Sequence, residues 1–307
     1  MPPDISFPNL GISFRNVPRY FIGNDPDASL IYFTGFPLNI HLYAVSIVIA
    51  ITLAALLGFW SAKVSGQKVE DYVELLMVGV VLAFIGLRVY FVAFNWEQFR
   101  GQGFFNIFIL GIRDGGLAIY GGIIGAAVAA AIMGARKNIP FSVMADTGAP
   151  SMLLGQAIGR WGNFFNREAF GGYTDGLLAM QIRYDQARYM TQELRDTAVV
   201  YVNDMRYLQV HPTFFYESFL NFVLMIALLV YRPRKKFNGE IVLLYFLGYG
   251  VIRFFVEGMR TDQMMLGNTG LPLNQVTAVM FSVVSAALLV KGYSKLITKP
   301  VRNKKRR

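Results

Sequence analysis

The residues of this chain that could do chemistry are few and gathered. Arg160, Glu168, Glu257, Arg260 and Asp262 fall near the ends of long apolar runs, and Asp114 stands just ahead of another. Ionisable groups at such depths are costly and usually functional. Two arginines in one place suit an anionic phosphate, which a guanidinium grips through two parallel hydrogen bonds. The competing reading pairs them with the nearby acids as structural ion pairs. The densest string is Gly159-Arg160-Trp161-Gly162-Asn163-Phe164-Phe165-Asn166-Arg167-Glu168. Its glycines allow the backbone to turn and a ligand to come close. Asn163 and Asn166 bring amide donors, and Arg160 brings a fixed positive charge. The chain has no cysteine and only two histidines, His41 and His211. That excludes a thiolate site, a histidine-rich metal site and a cysteine nucleophile, and no metal or cofactor is called for.

The elements that must position these groups are membrane spans. The chain is 54% hydrophobic and 16% charged, against about 25% charged in soluble domains, and its mean hydropathy is +0.42. A helix needs about 20 apolar residues to cross the hydrocarbon core. Seven runs qualify: Ile40 to Ala62, Tyr72 to Phe94, Gly116 to Ala135, Phe141 to Gly159, Thr213 to Tyr231, Glu240 to Glu257 and Leu271 to Val290. The fourth carries Asp146 and is the weakest. The expected fold is an all-α integral membrane protein, a bundle of about seven transmembrane helices. The one long connection, 163–210, is polar and Tyr-rich and reads as a small extracytoplasmic head or arm between spans four and five. A connection of that length is uncommon unless structured or functional.

Charge sorts along this topology. With the N-terminus outside, all ten lysines fall on the inner side, and the outer segments carry only arginines. The net charge of +10 is therefore a positive-inside signal, not a nucleic-acid footprint. Residues 1–39 form an extracytoplasmic segment without a cleavable signal peptide. Residues 40–293 form the seven-span membrane domain, and 294–307 a basic cytoplasmic tail that anchors topology or touches anionic lipid. No internal repeat is visible, which weakens a transporter reading. Gly121 with Gly125, and Gly155 with Gly159, stand four apart, a spacing that predicts close helix packing. His211 before Pro212 reads as a structural loop residue or a catalyst. Glu217 and Asp146 read as functional acids or as buffers for buried arginines.

The string from Gly159 to Glu168 resembles the signature of the prolipoprotein diacylglyceryl transferase family, Gly-Arg-x-Gly-Asn-Phe-x-Asn-x-Glu, at every fixed position. Other motifs follow the same family. Asp114-Gly115-Gly116 through Tyr120-Gly121-Gly122 resembles its Gly-rich opening of the third span. His211-Pro212-Thr213 with Tyr216-Glu217, Arg260 with Asp262, and His41-Leu42-Tyr43 resemble three further elements. The resemblance covers about Ile40 to Val290. It implies a multi-pass enzyme of the bacterial plasma membrane, catalysing the first step of lipoprotein maturation. The diacylglyceryl group of phosphatidylglycerol would pass to the lipobox cysteine of a prolipoprotein signal peptide as a thioether, and glycerol 1-phosphate would leave. The implied partners are phosphatidylglycerol, the prolipoprotein and the bilayer. The implied catalytic residues are Arg160, Arg260, Tyr120 and Glu168. Substrate contacts are implied for Tyr43, Asp114, Gly115, Gly116, Gly159, Gly162, Asn163, Asn166, His211, Glu217 and Asp262. Some family members carry a histidine where this chain has Tyr120. A phenol ordinarily titrates near 10 and is a poor base at neutral pH, so the proton acceptor stays open between Tyr120 and Glu168. The alternatives are a transporter or channel with charges at several depths, and a non-catalytic lipid-binding scaffold.

Overall fold

The computed structural model describes residues 3–23, 25, 28–32, 39–103, 107–108, 116–267 and 269–298. Asp114, Gly115 and the tail from Lys299 lie outside them. Seven long helices are present among the described residues: α1 (Leu42–Val64), α2 (Val69–Phe94), α4 (Ile119–Lys137), α5 (Phe141–Asn166), α7 (Thr213–Tyr231), α8 (Glu240–Met259) and α9 (Leu273–Thr298). Two short helices, α3 (Trp96–Phe99) and α6 (Gln192–Thr197), lie in connections. Six of the seven long helices are apolar enough to cross a bilayer, and α5 is not one of the six. It carries Asp146, Thr147, Ser151, Gln156 and Arg160, and has Pro150 inside it. At 26 residues it is nonetheless about 39 Å long. Large apolar side chains stand exposed on the spans, Val48, Met77 and Phe255 each above 60%, as lipid-facing residues do and soluble surfaces do not.

The chain divides into two compact units, Met1–Ala54 with Ala149–Arg307, and Ala55–Gly148. In the second unit α2 and α4 meet through glycine. A Cβ on Gly121 would stand 2.0 Å from the Gly86 carbonyl oxygen, and one on Gly125 would stand 2.2 Å from that of Leu82. The Gly121–Gly125 spacing thus does what it predicts. At one end Lys137 pairs with Asp71 at 3.2 Å and Glu74 at 2.5 Å. Arg88, buried in α2, donates to the carbonyls of Ile107 and Gly116.

In the first unit α8 packs between α7 and α9. Gly250 brings the backbones of α8 and α9 together, its missing Cβ leaving room for the Ala278 carbonyl at 2.7 Å. Gly155 and Gly159 behave differently from expectation. A Cβ added to Gly155 would stand 3.5 Å from the Ala54 side chain and 3.8 Å from the Ala50 carbonyl oxygen of α1, and one on Gly159 would stand 3.6 Å from the Ile47 side chain, so α1 packs here with room for a methyl group.

The connection 163–210 is a β-sheet head, completed by the N-terminal segment. The strands β1 (Ile5–Phe7), β2 (Ile12–Phe14), β6 (Met180–Arg183), β7 (Val199–Val202) and β8 (Met205–Val210) form an antiparallel sheet in the order β2-β1-β6-β8-β7. Ile5 pairs with Ile182, and β7 turns into β8 through Asn203 and Asp204, both at positive φ. Asn and Asp tolerate that conformation, which a two-residue hairpin turn demands. Ile5, Ile182, Leu194 and Leu208 are almost wholly buried and pack with Phe164 and Phe214 from the ends of α5 and α7. A second sheet, β4 (Ser29–Tyr32), β3 (Tyr20–Gly23) and β5 (Ile40–His41), leads into α1.

Candidate active site

The string from Gly159 to Asn166 is helical, not a turn: α5 runs through it. Gly162 is there for space, since a Cβ would stand 2.6 Å from the Tyr43 ring of α1. The chain turns only at Arg167 and Ala169, both non-glycine residues at positive φ (54° and 57°). Such conformations cost on the order of 1–3 kcal/mol each and persist where the surroundings over-determine them. Here Thr213 at the start of α7 donates to the Ala169 carbonyl, and Phe164, Trp161 and Phe214 interlock with ring centroids 5.2 to 5.9 Å apart. The turn presents Glu168 to its own helix end. One of its carboxylate oxygens accepts from Asn163 Nδ2 at 3.2 Å and Asn166 Nδ2 at 3.0 Å, and its N–H returns to the Asn163 carbonyl.

Arg160, on the last turns of α5, reaches Glu217 on α7, Nη2 to Oε1 at 2.8 Å. The Tyr249 hydroxyl donates to the same Oε1 at 3.2 Å, and the other oxygen of Glu217 takes Arg253 Nη1 of α8 at 3.0 Å. Arg253 continues to Glu257 at 2.6 Å, one turn along its helix. Glu257 is met by Arg260 at 3.9 Å, and Arg260 forks onto Asp262 at 2.9 and 2.7 Å. Asn274 of α9 closes the far side, 2.8 Å from Glu257 Oε1. Three arginines and three carboxylates alternate, so the formal charges cancel. Glu217 and Glu257 are each 1% exposed. Burial opposes ionisation of Asp262, but the hydrogen bonds and charge of Arg260 hold its carboxyl below the usual range.

The sequence spacing of α8 explains the layout. Tyr249, Arg253, Glu257 and Arg260 follow one another at four, four and three residues, a single helical face. The backbone then pins the end of that face to the head. Gly172 N–H bonds the Met259 carbonyl, Gly171 N–H bonds the His211 carbonyl, and His211 N–H bonds the Gly172 carbonyl. His211 also spends Nδ1 on the Tyr216 hydroxyl at 3.2 Å, and burial pulls its pKa down.

The structure thus gathers Arg160, Glu217, Arg260 and Asp262, with Tyr43, Gly159, Gly162, Asn163, Asn166, Glu168 and His211 on the same unit. Gly116 and Tyr120 belong to the other unit. There Gly116 (φ +77°) accepts from Arg88, and Tyr120 opens α4 with its ring 6.3 Å from that of Tyr90. Arg253 and Tyr249 are what sequence reasoning left out of the site. The signal for Arg253 was present, as a lone cation inside an apolar run with an acid four residues on.

The fold and site define an integral membrane protein of multi-pass helical type, with a buried ionic chain at one end of its spans. Residues 30–291 match the family model described as prolipoprotein diacylglyceryl transferase. The chain is similar to a Finegoldia magna protein named phosphatidylglycerol–prolipoprotein diacylglyceryl transferase, at 35% identity over 271 residues, covering 87% of this chain and 96% of that one. A Bacillus cereus protein of the same name is 36% identical over 263 residues, 83% of this chain and 88% of its own. The chain belongs to the prolipoprotein diacylglyceryl transferase family and is a transferase.

Proposed function

We propose that this protein moves the diacylglyceryl group of phosphatidylglycerol onto the lipobox cysteine of a prolipoprotein. The observation that carries the reading is the chain Arg160–Glu217–Arg253–Glu257 buried among apolar spans. The thiolate sulfur attacks the glycerol carbon that bears the phosphate ester. The carbon–oxygen bond breaks, its electron pair leaves on phosphate oxygen, and glycerol 1-phosphate departs as the thioether forms. Negative charge grows on the leaving oxygen, where Arg160 and Arg253 offer preformed donors. Removing one donor of this kind costs about 3–4 kcal/mol. Glu217 holds the two guanidiniums apart and in place until a phosphate competes for them. Arg260, whose fork is taken by Asp262, braces Glu257. The thiol proton goes to Glu168 or to Tyr120. Glu168 is supported by its paired amide donors, Asn163 and Asn166, which fix one of its oxygens.

The same reading sets the protein across a bacterial plasma membrane with the N-terminus and head outside and the C-terminus in the cytoplasm. The pairing of β1 with β6 supports seven crossings. Residues 5–7 and 180–183 share one sheet and so one side of the membrane, which needs an even number of crossings between them. The helices α1, α2 and α4 give three, and α5 supplies the fourth. The lipid then reaches the site from the outer leaflet. A transporter reading is not favoured, because the relatives are named as transferases.

The test is incubation of the purified protein with phosphatidylglycerol and a lipobox peptide. The expected product is a peptide heavier by one diacylglyceryl group, with glycerol 1-phosphate released in equal amount. Unchanged peptide in the presence of bound lipid would leave only the scaffold reading.

A further inference from the structure

The turn that presents Glu168 is clamped from outside the region that matches the family model. That match begins at residue 30, yet β1 and β2 lie ahead of it and β1 is interior to the head sheet. Asp4, 7% exposed, stands beside β1. One of its carboxylate oxygens accepts the Val17 N–H at 2.8 Å and the other accepts Gln186 Nε2 at 3.1 Å. Arg183 Nη1 stands at 3.6 Å and Arg167 Nη2 at 3.8 Å.

Arg167 is the residue between Asn166 and Glu168, 4% exposed and at φ +54°. Its guanidinium donates to the Val17 carbonyl at 2.6 Å and to the Phe165 carbonyl at 3.1 Å. Its own carbonyl accepts from Arg188 N–H at 3.0 Å. Burial, with Arg19 alongside, draws its pKa down to about 10, so the charge is kept at neutral pH. Arg167 is thus a buried cation in a left-handed turn, held by two carbonyls and one carboxylate. The carboxylate and one of the carbonyls come from the N-terminal segment. Phe14 of β2 adds an edge contact to Phe164, with centroids 5.8 Å apart.

We infer that Asp4 and Arg167 are positioning residues of the transferase: the N-terminal hairpin locks the turn that aims Glu168. This rests on the reading of the site above, in which Glu168 meets substrate. Asp4 touches no reacting atom. It neutralises the cation and orders Val17, whose carbonyl fixes the guanidinium.

The full-length protein in lipid is compared with Asp4→Asn, which keeps size and removes charge, and with Asp4→Glu, which keeps charge. Steady-state turnover of lipobox peptide is divided by the amount of folded protein, measured by size-exclusion and melting. A misplaced catalytic group loses on the order of 10- to 100-fold in rate. The expected result is a kcat lowered by that factor in Asp4→Asn, a peptide KM within about twofold, and a partial return of kcat in Asp4→Glu. Wild-type kcat in folded Asp4→Asn overturns the inference, and so does a loss that vanishes once folded protein is counted. Should Asp4→Asn fail to fold, Arg167→Lys is read instead, since it keeps the charge but cannot hold both carbonyls. A normal kcat there overturns the inference. A wild type that transfers nothing would overturn the function itself, which keeps the two failures apart.

Discussion

Glu217 and Arg253 meet at 3.0 Å on facing helices, and the same carboxylate holds Arg160 through its other oxygen at 2.8 Å. A single buried anion, 1% exposed, therefore stands between two cations. Breaking a buried pair by removing one partner costs about 3–5 kcal/mol, because a charge is left uncompensated. Glu217→Gln is expected to melt well below the wild type and to lose most transferase activity. An added anion that binds between the arginines should restore part of the stability. Phosphatidylglycerol is thus expected to raise the melting temperature of Glu217→Gln more than that of the wild type, by the linkage of binding to folding. Equal shifts in both proteins would argue against phosphate taking the place of the carboxylate.

The two arginines at the C-terminal end of α8, Arg253 within it and Arg260 capping it, are not equivalent. Arg260 spends its fork on Asp262, while Arg253 joins two buried acids on two helices. Lysine keeps charge but cannot bridge. Arg253→Lys is expected to lose about 10²-fold or more in kcat, the range for a transition-state donor. Arg260→Lys is expected to lose nearer tenfold, about one charged hydrogen bond. Both are measured by peptide lipidation. The reverse order would return the phosphate-binding role to Arg260.

Both histidines have their pKa drawn down. Burial lowers the pKa of His211, and burial with Arg188 and Arg19 lowers that of His41, against a smaller opposing pull from Glu168. A histidine whose folded pKa is depressed binds more protons when unfolded. Its contribution to stability is complete above the unfolded value near 6.5 and is lost as pH falls through the folded value. Melting temperature is expected to drop as pH falls below about 6.5, and His211→Gln and His41→Gln should each flatten that drop. A slope unchanged in the double variant would show that other groups set it.

Much of this was legible in the chain because it is local. The bounds of α7 and the start of α5 follow directly from the apolar runs that begin at Thr213 and Phe141. Lys137 and Lys63 mark helix ends where a basic residue is expected. The signature string gathers Arg160, Asn163, Asn166 and Glu168 within nine residues. What was not legible joins distant residues. Arg253 finds Glu217 across 36 positions, and Ile5 finds Ile182 across 177, through strands of three and four residues, too short to carry an alternating pattern. The glycines of the signature suggested a turn, yet the helix continues through them. The reason for Gly162 is the ring of Tyr43, which only the packing of α1 reveals.

The sheet makes the topology testable in one set of labels, because the natural chain has no cysteine to remove. Ile12 and Tyr189 are both exposed, 46% and 69%, and belong to the head built from the two ends of β1 and β6. Lys235 lies in the basic connection between α7 and α8, where inward placement is expected of lysine. Cysteine is introduced singly at these three positions and treated in intact cells with a reagent that does not cross the membrane. Positions 12 and 189 should label, and 235 should label only after the cells are opened. The pattern depends on α5 crossing although it is the least apolar of the long helices. If α5 did not cross, three crossings would separate residue 12 from residue 189, and only one of the two would label. If all crossings stood but the orientation were reversed, 235 alone would label in intact cells. Labelling of 12 without 189 would thus strike at α5 and at the β1–β6 pairing together, since both require the two residues on one side.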